Sequence, residues 1–260
     1  MNKISINDAK LIRSLTIKKY REEYKKFIIE GEKLVLETVN HKYSYINKLY
    51  CTDEFEKKYY SLLISKGIEY QSVTMQELNK VSNFKTSDSA LIIADQFEKI
   101  EINPDSDFNI IVYLDDISDP GNMGTILRSA EWFGIDYIVA SGNSVDFYNP
   151  KVVQASMGSI LRIKFVIMDY GELLERMKNA DISTYGMMLE GESVYTKEFK
   201  HPMLLVVGNE SNGISEEVIS KIRHKITIPG SSTSVESLNA AVSASVVFSE
   251  IFRRQAMTIN

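Results

Sequence analysis

Apolar and polar positions along residues 110–252 alternate in the manner of an α/β protein. Short, almost wholly apolar runs are followed by stretches with helical spacing, which predicts a parallel sheet covered by helices on both faces. The predicted strands are Ile110–Leu114, Tyr137–Ala140, Ile163–Met168, Ile182–Met188, Leu204–Val207 and Lys225–Ile228. The predicted helices are Asn122–Phe133, Asn149–Leu161, Gly171–Asn179, Ser215–Lys221 and Val235–Phe252. Ligands of such sheets bind outside the carboxyl ends of the strands, so the chemistry is expected there.

The first hundred residues repeat the alternation on a smaller scale. Helical spacing covers Asn7–Ile17, Glu32–Val39, Asp53–Ser65 and a short stretch from Met75, and strand-like runs cover Phe27–Ile29, Ile46–Cys51 and Leu91–Ala94. A polar, turn-prone segment around Asn103-Pro104 then interrupts the pattern. We therefore predict a small α/β domain over residues 1–102 and a larger one over residues 103–260.

Composition narrows the possible classes of function. A single cysteine, Cys51, excludes an internal disulfide framework and a thiolate metal cluster, and is expected to be a buried apolar residue. The three histidines, His41, His201 and His224, lack metal-ligand spacing, so no metal site is predicted. No apolar run is long enough to span a bilayer, and the first residues lack the apolar stretch of a signal peptide. We expect a cytoplasmic protein.

Charge is distributed unevenly along the chain. The net charge is −5, yet residues 1–100 carry 17 Lys and Arg against 14 Asp and Glu, and the remainder is acidic. Arg13, Lys18, Lys19 and Arg21 lie in the basic amino-terminal stretch. Such a stretch is either a phosphate-binding surface or an ordinary solvated helix face, and charge alone leaves both open.

Three segments of the second predicted domain place small polar residues at the ends of predicted strands or helices. Two of them, around Gly208 and around Ile228, end apolar strands and leave backbone groups that could hold an adenine and a ribose. The third places Asn122 where it could cap a helix, with Arg128 six residues further along. Arg128 is either a surface residue packed through its stem or a partly buried one with an anionic partner. The Gly121-x-x-Gly124 spacing matches neither the dinucleotide-binding nor the phosphate-loop fingerprint.

Taken together in this order, the segments resemble the motifs of the SpoU family of RNA ribose 2′-O-methyltransferases, also called the TrmH family, within the SPOUT superfamily. The first motif is Asn122-x-Gly124-Thr125-Ile126-x-Arg128-Ser129, the second runs from Val207 to Ile214, and the third combines Ile228-Pro229 with Glu236 to Val242. Residues 149–159 are also similar to the family. The first hundred residues resemble, more loosely, the family's L30e-like RNA-binding domain.

The resemblance implies a fold, a cofactor and a set of site residues. The fold is a SPOUT α/β domain with a carboxy-terminal trefoil knot, the cofactor is S-adenosylmethionine, the substrate is RNA, and the enzyme is a homodimer. The cofactor-binding residues it implies are Met188, Leu189, Gly208, Asn209, Gly213, Ile228, Pro229 and Leu238. The catalytic residues are Asn122, Arg128, Glu210, Ser237 and Asn239, and the candidate RNA-binding residues are Arg13, Lys18, Lys19 and Arg21.

Several readings of the function stay open at this point. The reaction is expected on a ribose hydroxyl of ribosomal RNA, with transfer RNA, a base-nitrogen SPOUT methyltransferase and a non-catalytic RNA-binding scaffold as the alternatives. The chain also departs from the third motif. Gly230 stands where a larger apolar residue is usual, and the stretch Ser231–Ser234 is about one residue longer.

Overall fold

The computed structural model describes residues 3–84, 89–103, 108–231 and 236–258. Its contacts divide the chain into two compact units. The first contains residues 1–98 and 146–162, and the second contains residues 99–145 and 163–260. The predicted limits, 1–102 and 103–260, did not foresee that the segment 146–162 joins the first unit.

The first unit is built on a sheet in the order β1-β4-β2-β3. Its strands are β1 Lys26–Glu30, β2 Ile46–Cys51, β3 Tyr70–Ser72 and β4 Ala90–Asp95, and its early helices are α1 Ile6–Ser14, α2 Lys18–Tyr24, α3 Glu32–His41, α4 Asp53–Ser65 and α5 Met75–Val81. Strand β4 pairs antiparallel with β1 and β2, and β3 pairs parallel with β2. The predicted helices and strands of this unit are confirmed, but α2 and β3 were missed.

Helix α2 was missed because most of its residues are charged and show no apolar period. It is fixed instead by Arg21, whose side chain is 2% exposed. The Arg21 guanidinium donates to the Asp146 carboxylate at 2.7 Å and to the Leu15 carbonyl oxygen at 2.8 Å. A buried charge is tolerated only when paired in this way, so the segment beginning at Asp146 belongs structurally with α2.

In the described residues of the second unit, six parallel strands form a sheet in the order β10-β8-β9-β5-β6-β7. The strands are β5 Ile110–Leu114, β6 Tyr137–Ala140, β7 Lys164–Ile167, β8 Ser183–Ser193, β9 Met203–Val207 and β10 His224–Thr227. The central strands β5, β6 and β9 are buried along their whole length, as expected for a sheet covered on both faces. The predicted parallel α/β sheet is confirmed. The predicted trefoil knot, in which the carboxy-terminal segment passes through a loop of the chain, stays a prediction.

The remaining α-helices of the described residues are α6 Pro120–Trp132, α7 Pro150–Ala155, α8 Tyr170–Arg176, α9 Glu216–Ile219 and α10 Ala240–Thr258. The predicted helix Asn149–Leu161 is wrong in its second half. Met157 and Gly158 both have positive φ, which ends α7 before a short 3-10 turn at Ser159–Leu161. Helix α10 begins at Ala240 rather than at Val235, which lies outside the described residues.

Strand β8 is longer than predicted and carries an interruption that shapes the site. It pairs with β10 at Tyr185 and Gly186 and again at Glu192 and Ser193, while residues 187–191 have no partner in β10. Its pairing with β9 also stops at Gly186. The stretch without ladder pairing bulges at the carboxyl ends of β8 and β9, and the Thr227 hydroxyl on β10 donates to the Leu189 carbonyl oxygen within it at 2.9 Å.

No helix among the described residues combines the length and the apolar character that crossing a membrane requires.

Candidate active site

The loop that follows β9 is folded tightly back on itself. Asn209 and Gly213 exchange backbone hydrogen bonds at 2.9 and 3.0 Å, and Gly213 has a φ of +68°. A Cβ atom on Gly208 would come within 2.6 Å of the Gly213 carbonyl oxygen, well inside ordinary contact distance. Glycine is therefore required at position 208 by close backbone approach, which explains its place in the second motif.

The same loop is tied at both ends to the turn after β5. The Asn209 amide donates to the Asp116 carbonyl oxygen at 2.7 Å, and the Ser215 backbone N–H donates to the Asp115 carboxylate at 2.7 Å. The Asn209 side-chain oxygen accepts from Ser211 and Asn212 within the loop. Asn209, predicted to bind the cofactor, thus has its side chain committed to holding the loop in shape.

A cleft of about 490 Å³ opens at the carboxyl ends of β8, β9 and β10. Its walls come from the unpaired part of β8, the loop after β9, the end of β10 and the segment before α10. The lining residues are Met187, Met188, Leu189, Val207, Gly208, Asn209, Glu210, Ser211, Asn212, Gly213, Ile214, Ile219, Ile226, Ile228, Glu236, Ser237, Leu238, Ala240 and Ser243. This volume suits a ligand of nucleoside size.

The chemistry of this lining fits the predicted cofactor. Apolar side chains outnumber polar ones in its lining, and the described polar ones include the carboxylates of Glu210 and Glu236 but no lysine or arginine. A cationic sulfonium is favoured by such surroundings, because nearby carboxylates attract it and no like charge opposes it. The backbone groups of Gly208, Ile228 and Leu238 have no hydrogen-bond partner in the part of the chain the structure describes. These groups are therefore open to a ligand, and their binding of adenine and ribose stays a prediction.

Three of the predicted catalytic side chains meet beside the cleft. The Asn122 amide nitrogen donates to the Glu210 carboxylate, and the Asn239 amide nitrogen donates to the Asn122 side-chain oxygen at 2.9 Å. Asn239 also accepts from the Ala241 and Val242 backbone N–H groups at the start of α10. One hydrogen-bonded chain therefore joins all three sequence motifs, whose members lie 88 and 117 residues apart.

The prediction that Asn122 caps α6 is wrong. Asp119 is the capping residue and accepts from the Asn122 backbone N–H at 2.8 Å, and Pro120 occupies the first turn of the helix. This arrangement leaves the Asn122 side chain free to bridge Glu210 and Asn239.

Arg128 lies further along α6 and is exposed. No carboxylate among the described residues pairs with it, which decides between the two readings that the sequence left open. Its guanidinium is available to an external anion. Ser237 lines the cleft and is exposed, with no hydrogen-bond partner among the described residues.

Two predicted residues do not lie where the sequence placed them. Pro229 is exposed and is absent from the cleft lining, although its neighbour Ile228 is part of it. Arg21 is wrong as an RNA-binding residue, because its buried guanidinium is occupied by Asp146 and Leu15. Arg13, Lys18 and Lys19 are exposed and remain candidates.

The sequence also missed several lining residues. Met187 neighbours a predicted residue, and the interruption of β8 is the reason that it lines the cleft. Ile219 and Ser243 lie on or beside helices, and only tertiary packing turns them toward the cleft. Glu236 stands within the third motif and could have been named from it.

Groups of three or more His, Cys, Asp or Glu with the arrangement of a metal site do not occur in the described ranges. Cys51 is fully buried, as predicted, and burial raises the pKa of its thiol to about 12. The thiol is therefore unreactive at neutral pH.

Two family models match successive parts of the chain. The sequence model of the SpoU rRNA Methylase family matches residues 109–249, and that of the MRM3-like substrate binding domain matches residues 7–91. Among relatives, the chain is 25% identical over 236 residues to the 23S rRNA (guanosine(2553)-2′-O)-methyltransferase RlmP of Bacillus subtilis. That match covers 90% of this chain and 92% of the relative.

Two solved structures are similar over nearly the whole chain. One is a putative RNA methyltransferase of the TrmH family from Porphyromonas gingivalis, with 33% identity and a TM-score of 0.84 over 97% of this chain and 100% of that one. The other is an AdoMet-bound rRNA methyltransferase from Sinorhizobium meliloti, with 25% identity and a TM-score of 0.84 over 98% of both chains. The predicted SPOUT fold is thereby confirmed.

Proposed function

We propose that this chain, which belongs to the SpoU rRNA methylase family, transfers the methyl group of S-adenosylmethionine to a ribose 2′-hydroxyl of ribosomal RNA. The observation that carries the proposal is the joining of the three motifs beside the cleft. Glu210, Asn122 and Asn239 come from distant parts of the sequence and form one hydrogen-bonded chain. A cleft lined mainly by apolar side chains, together with two carboxylates, lies next to it.

One set of residues is proposed to bind the cofactor, and another to bind the RNA. When bound, S-adenosylmethionine supplies an electrophilic methyl group on a positively charged sulfur. Gly208, Ile228 and Leu238 hold the adenosine through their backbone groups, and Met188 and Leu189 wall the cleft on its β8 side. The side-chain hydrogen bonds that link Glu210, Asn122 and Asn239 hold the loop after β9 against the start of α10.

Arg128 acts on the RNA. Arginine stays protonated throughout the range in which proteins function, so it cannot remove a proton from the ribose hydroxyl. Its unpaired, exposed guanidinium instead binds a phosphate and stabilises the negative charge that develops on the 2′-oxygen. A phosphate oxygen of the RNA receives the hydroxyl proton.

Ribosomal RNA is the favoured substrate over transfer RNA. The relative from Bacillus subtilis, similar along almost its whole length, is named as a 23S rRNA methyltransferase. The first unit matches an MRM3-like substrate binding domain, which supports a role for that unit in RNA binding. Transfer RNA and a base-nitrogen acceptor are tested as outcomes of the experiment below.

A homodimer fits the surface of the second unit. Helices α6 and α10 lie side by side, and Ser129 on α6 is hydrogen-bonded to Ser245 on α10 at 2.7 Å. Trp132 on α6 is 82% exposed, and Val242 and Phe252 on α10 are each 49% exposed. An apolar surface of this kind on a folded unit suits a second copy of the chain. Replacing Trp132 by Glu should then shift the mass in solution from dimer to monomer.

The function is tested by incubating the purified protein with labelled S-adenosylmethionine and ribosomal RNA from cells that lack it. We expect alkali-resistant label, the mark of a methylated ribose, at one position of ribosomal RNA. Label on a base, or only on transfer RNA, would redirect the assignment to one of the alternatives. Calorimetry that detects no binding of S-adenosylmethionine would favour a non-catalytic scaffold.

A further inference from the structure

One side of helix α2 and of the residue before it carries three large side chains, of which Tyr20 is half-buried and the other two are exposed. Ile17, Tyr20 and Tyr24 lie three and four residues apart and so share one side of the helix. Ile17 is 53% exposed and Tyr24 is 42% exposed. The rings of Tyr20 and Tyr24 lie 6.0 Å apart and are nearly parallel, at 14°. The two tyrosines form a short aromatic platform, and this set of residues is called the α2 platform below.

The platform is presented by a helix that cannot easily move. The buried Arg21 side chain binds Asp146 and the Leu15 carbonyl oxygen, and the Gln96 amide donates to the Arg21 carbonyl oxygen at 3.0 Å. These contacts fix α2 from its buried side. Its aromatic rings are therefore held in place before any partner arrives, which lowers the entropic cost of binding.

Lysines flank the α2 platform at both ends of the helix, and the exposed carboxylates of Glu22 and Glu23 lie between the two tyrosines in sequence. The Lys19 ammonium lies 6.0 Å from the centre of the Tyr20 ring, and Lys18 and Lys25 are exposed nearby in sequence. Within the described ranges, neither Lys19 nor Lys25 pairs with a carboxylate, while Lys18 lies 4.0 Å from Glu22. One exposed and one half-buried tyrosine ring, with lysines beside them that have no carboxylate partner in the described ranges, suit a ligand that offers both flat rings and negative charge.

We propose that the α2 platform binds unpaired bases of the RNA substrate by stacking, with Lys19 and Lys25 contacting the adjoining phosphates. This rests on the proposed function and adds to it a site on the first unit. Single-stranded RNA is the favoured occupant, because bases splayed from a loop or bulge stack on exposed tyrosines, whereas bases of a duplex are already stacked on one another.

The test compares tyrosine variants in binding to a short single-stranded RNA of mixed sequence, followed by fluorescence anisotropy. Tyr20→Ala and Tyr24→Ala should each weaken binding about tenfold, since stacking is lost, and the Phe variants should stay within about twofold because the ring is kept. The matched control is Tyr60→Ala on α4, where the tyrosine is 53% exposed and belongs to the same unit. Its affinity should equal that of the unchanged protein.

Salt and strand type supply two further readouts. Lys19→Ala should lower the slope of log affinity against log salt by about 0.7, the value expected for one phosphate contact on a single strand. A perfectly paired RNA duplex of the same sequence should bind the tyrosine variants and the unchanged protein alike.

Unaltered affinity of Tyr20→Ala and Tyr24→Ala for the single strand, or an equal loss in Tyr60→Ala, would overturn the proposal. So would a shift in the monomer–dimer equilibrium of the tyrosine variants, because the platform would then be a protein interface. Failure of the proposed function is visible separately, as absence of methyl transfer to RNA by the unchanged protein.

Discussion

Gly208 offers the sharpest test of how the cofactor cleft is built. Alanine at this position adds a single Cβ atom, which would lie 2.4 Å from the Ile214 backbone nitrogen and 2.6 Å from the Gly213 carbonyl oxygen. Ordinary contact of a Cβ begins at 3.4 Å. Since the obstacle is backbone rather than a flexible side chain, the loop after β9 must move by close to 1 Å.

The cost of this movement follows from its size and place. Forcing one extra carbon into a packed site costs about 1–3 kcal/mol. Because each 1.4 kcal/mol is a factor of ten, the affinity for S-adenosylmethionine should fall about 5- to 150-fold if the whole cost falls on the bound state. Glu210 lies in the same loop and is hydrogen-bonded to Asn122, so turnover should fall further than affinity.

Calorimetry with S-adenosylmethionine and urea denaturation together capture the whole cost. Gly230→Ala is the matched control, because a Cβ there meets none of the described residues within 4 Å and its φ lies outside the left-handed region. It lies two residues beyond Ile228, at the edge of the same cleft. The steric reasoning is refuted if Gly208→Ala and Gly230→Ala share the same affinity and the same free energy of unfolding.

Three further predictions concern charged side chains. Arg128→Ala should lower turnover about 10²- to 10³-fold while leaving S-adenosylmethionine affinity unchanged in calorimetry. Arg128→Lys should recover little turnover, because lysine lacks the bidentate fork of the guanidinium. Equal losses of turnover and of S-adenosylmethionine affinity would contradict the assignment. Arg21→Met leaves Asp146 buried and unpaired, so urea denaturation should show a loss of about 3–5 kcal/mol, and a loss below about 1 kcal/mol would mean that the pair is not buried in solution. Hydrogen bonds from Arg253 and Arg254 lower the pKa of Glu250 from 4.5 to about 2, so its contribution is present above pH 4.5 and is lost as the pH falls toward 2. Glu250→Gln should remove that acid-dependent part of the stability curve, and an unchanged curve would show that the carboxylate is not paired.

The outline of the second unit could be predicted because its strands are uniformly apolar. Burial on both faces leaves no alternative for runs such as Ile110–Leu114 and Leu204–Val207, and the structure has them within one residue of the predicted limits. The limits failed where the backbone departs from regular geometry. Met157 breaks a helix with a positive φ that no side-chain pattern announces, and residues 187–191 extend a strand without pairing to β10.

The motifs indicated which side chains to consider at the candidate site, but they did not reveal which hydrogen bonds each side chain makes. Asn122 and Asn209 both read as polar residues at element ends, suited to a helix cap and to a ligand contact respectively. In the structure Asp119 caps the helix, and the Asn209 side chain donates to the Asp116 carbonyl oxygen. The sequence pattern did not reveal either of these hydrogen-bond partners.

Arg21 and Lys19 show the same limit in the first unit, two residues apart in one basic stretch. Charge counting treats them alike, yet one is buried against a carboxylate 125 residues away and the other is exposed beside a tyrosine. The buried arginine is what holds the exposed face of α2 in place. A basic stretch in a sequence therefore predicts neither a binding surface nor a solvated face until the partner of each cation is known, and in this protein the partner of Arg21 is supplied by the segment 146–162.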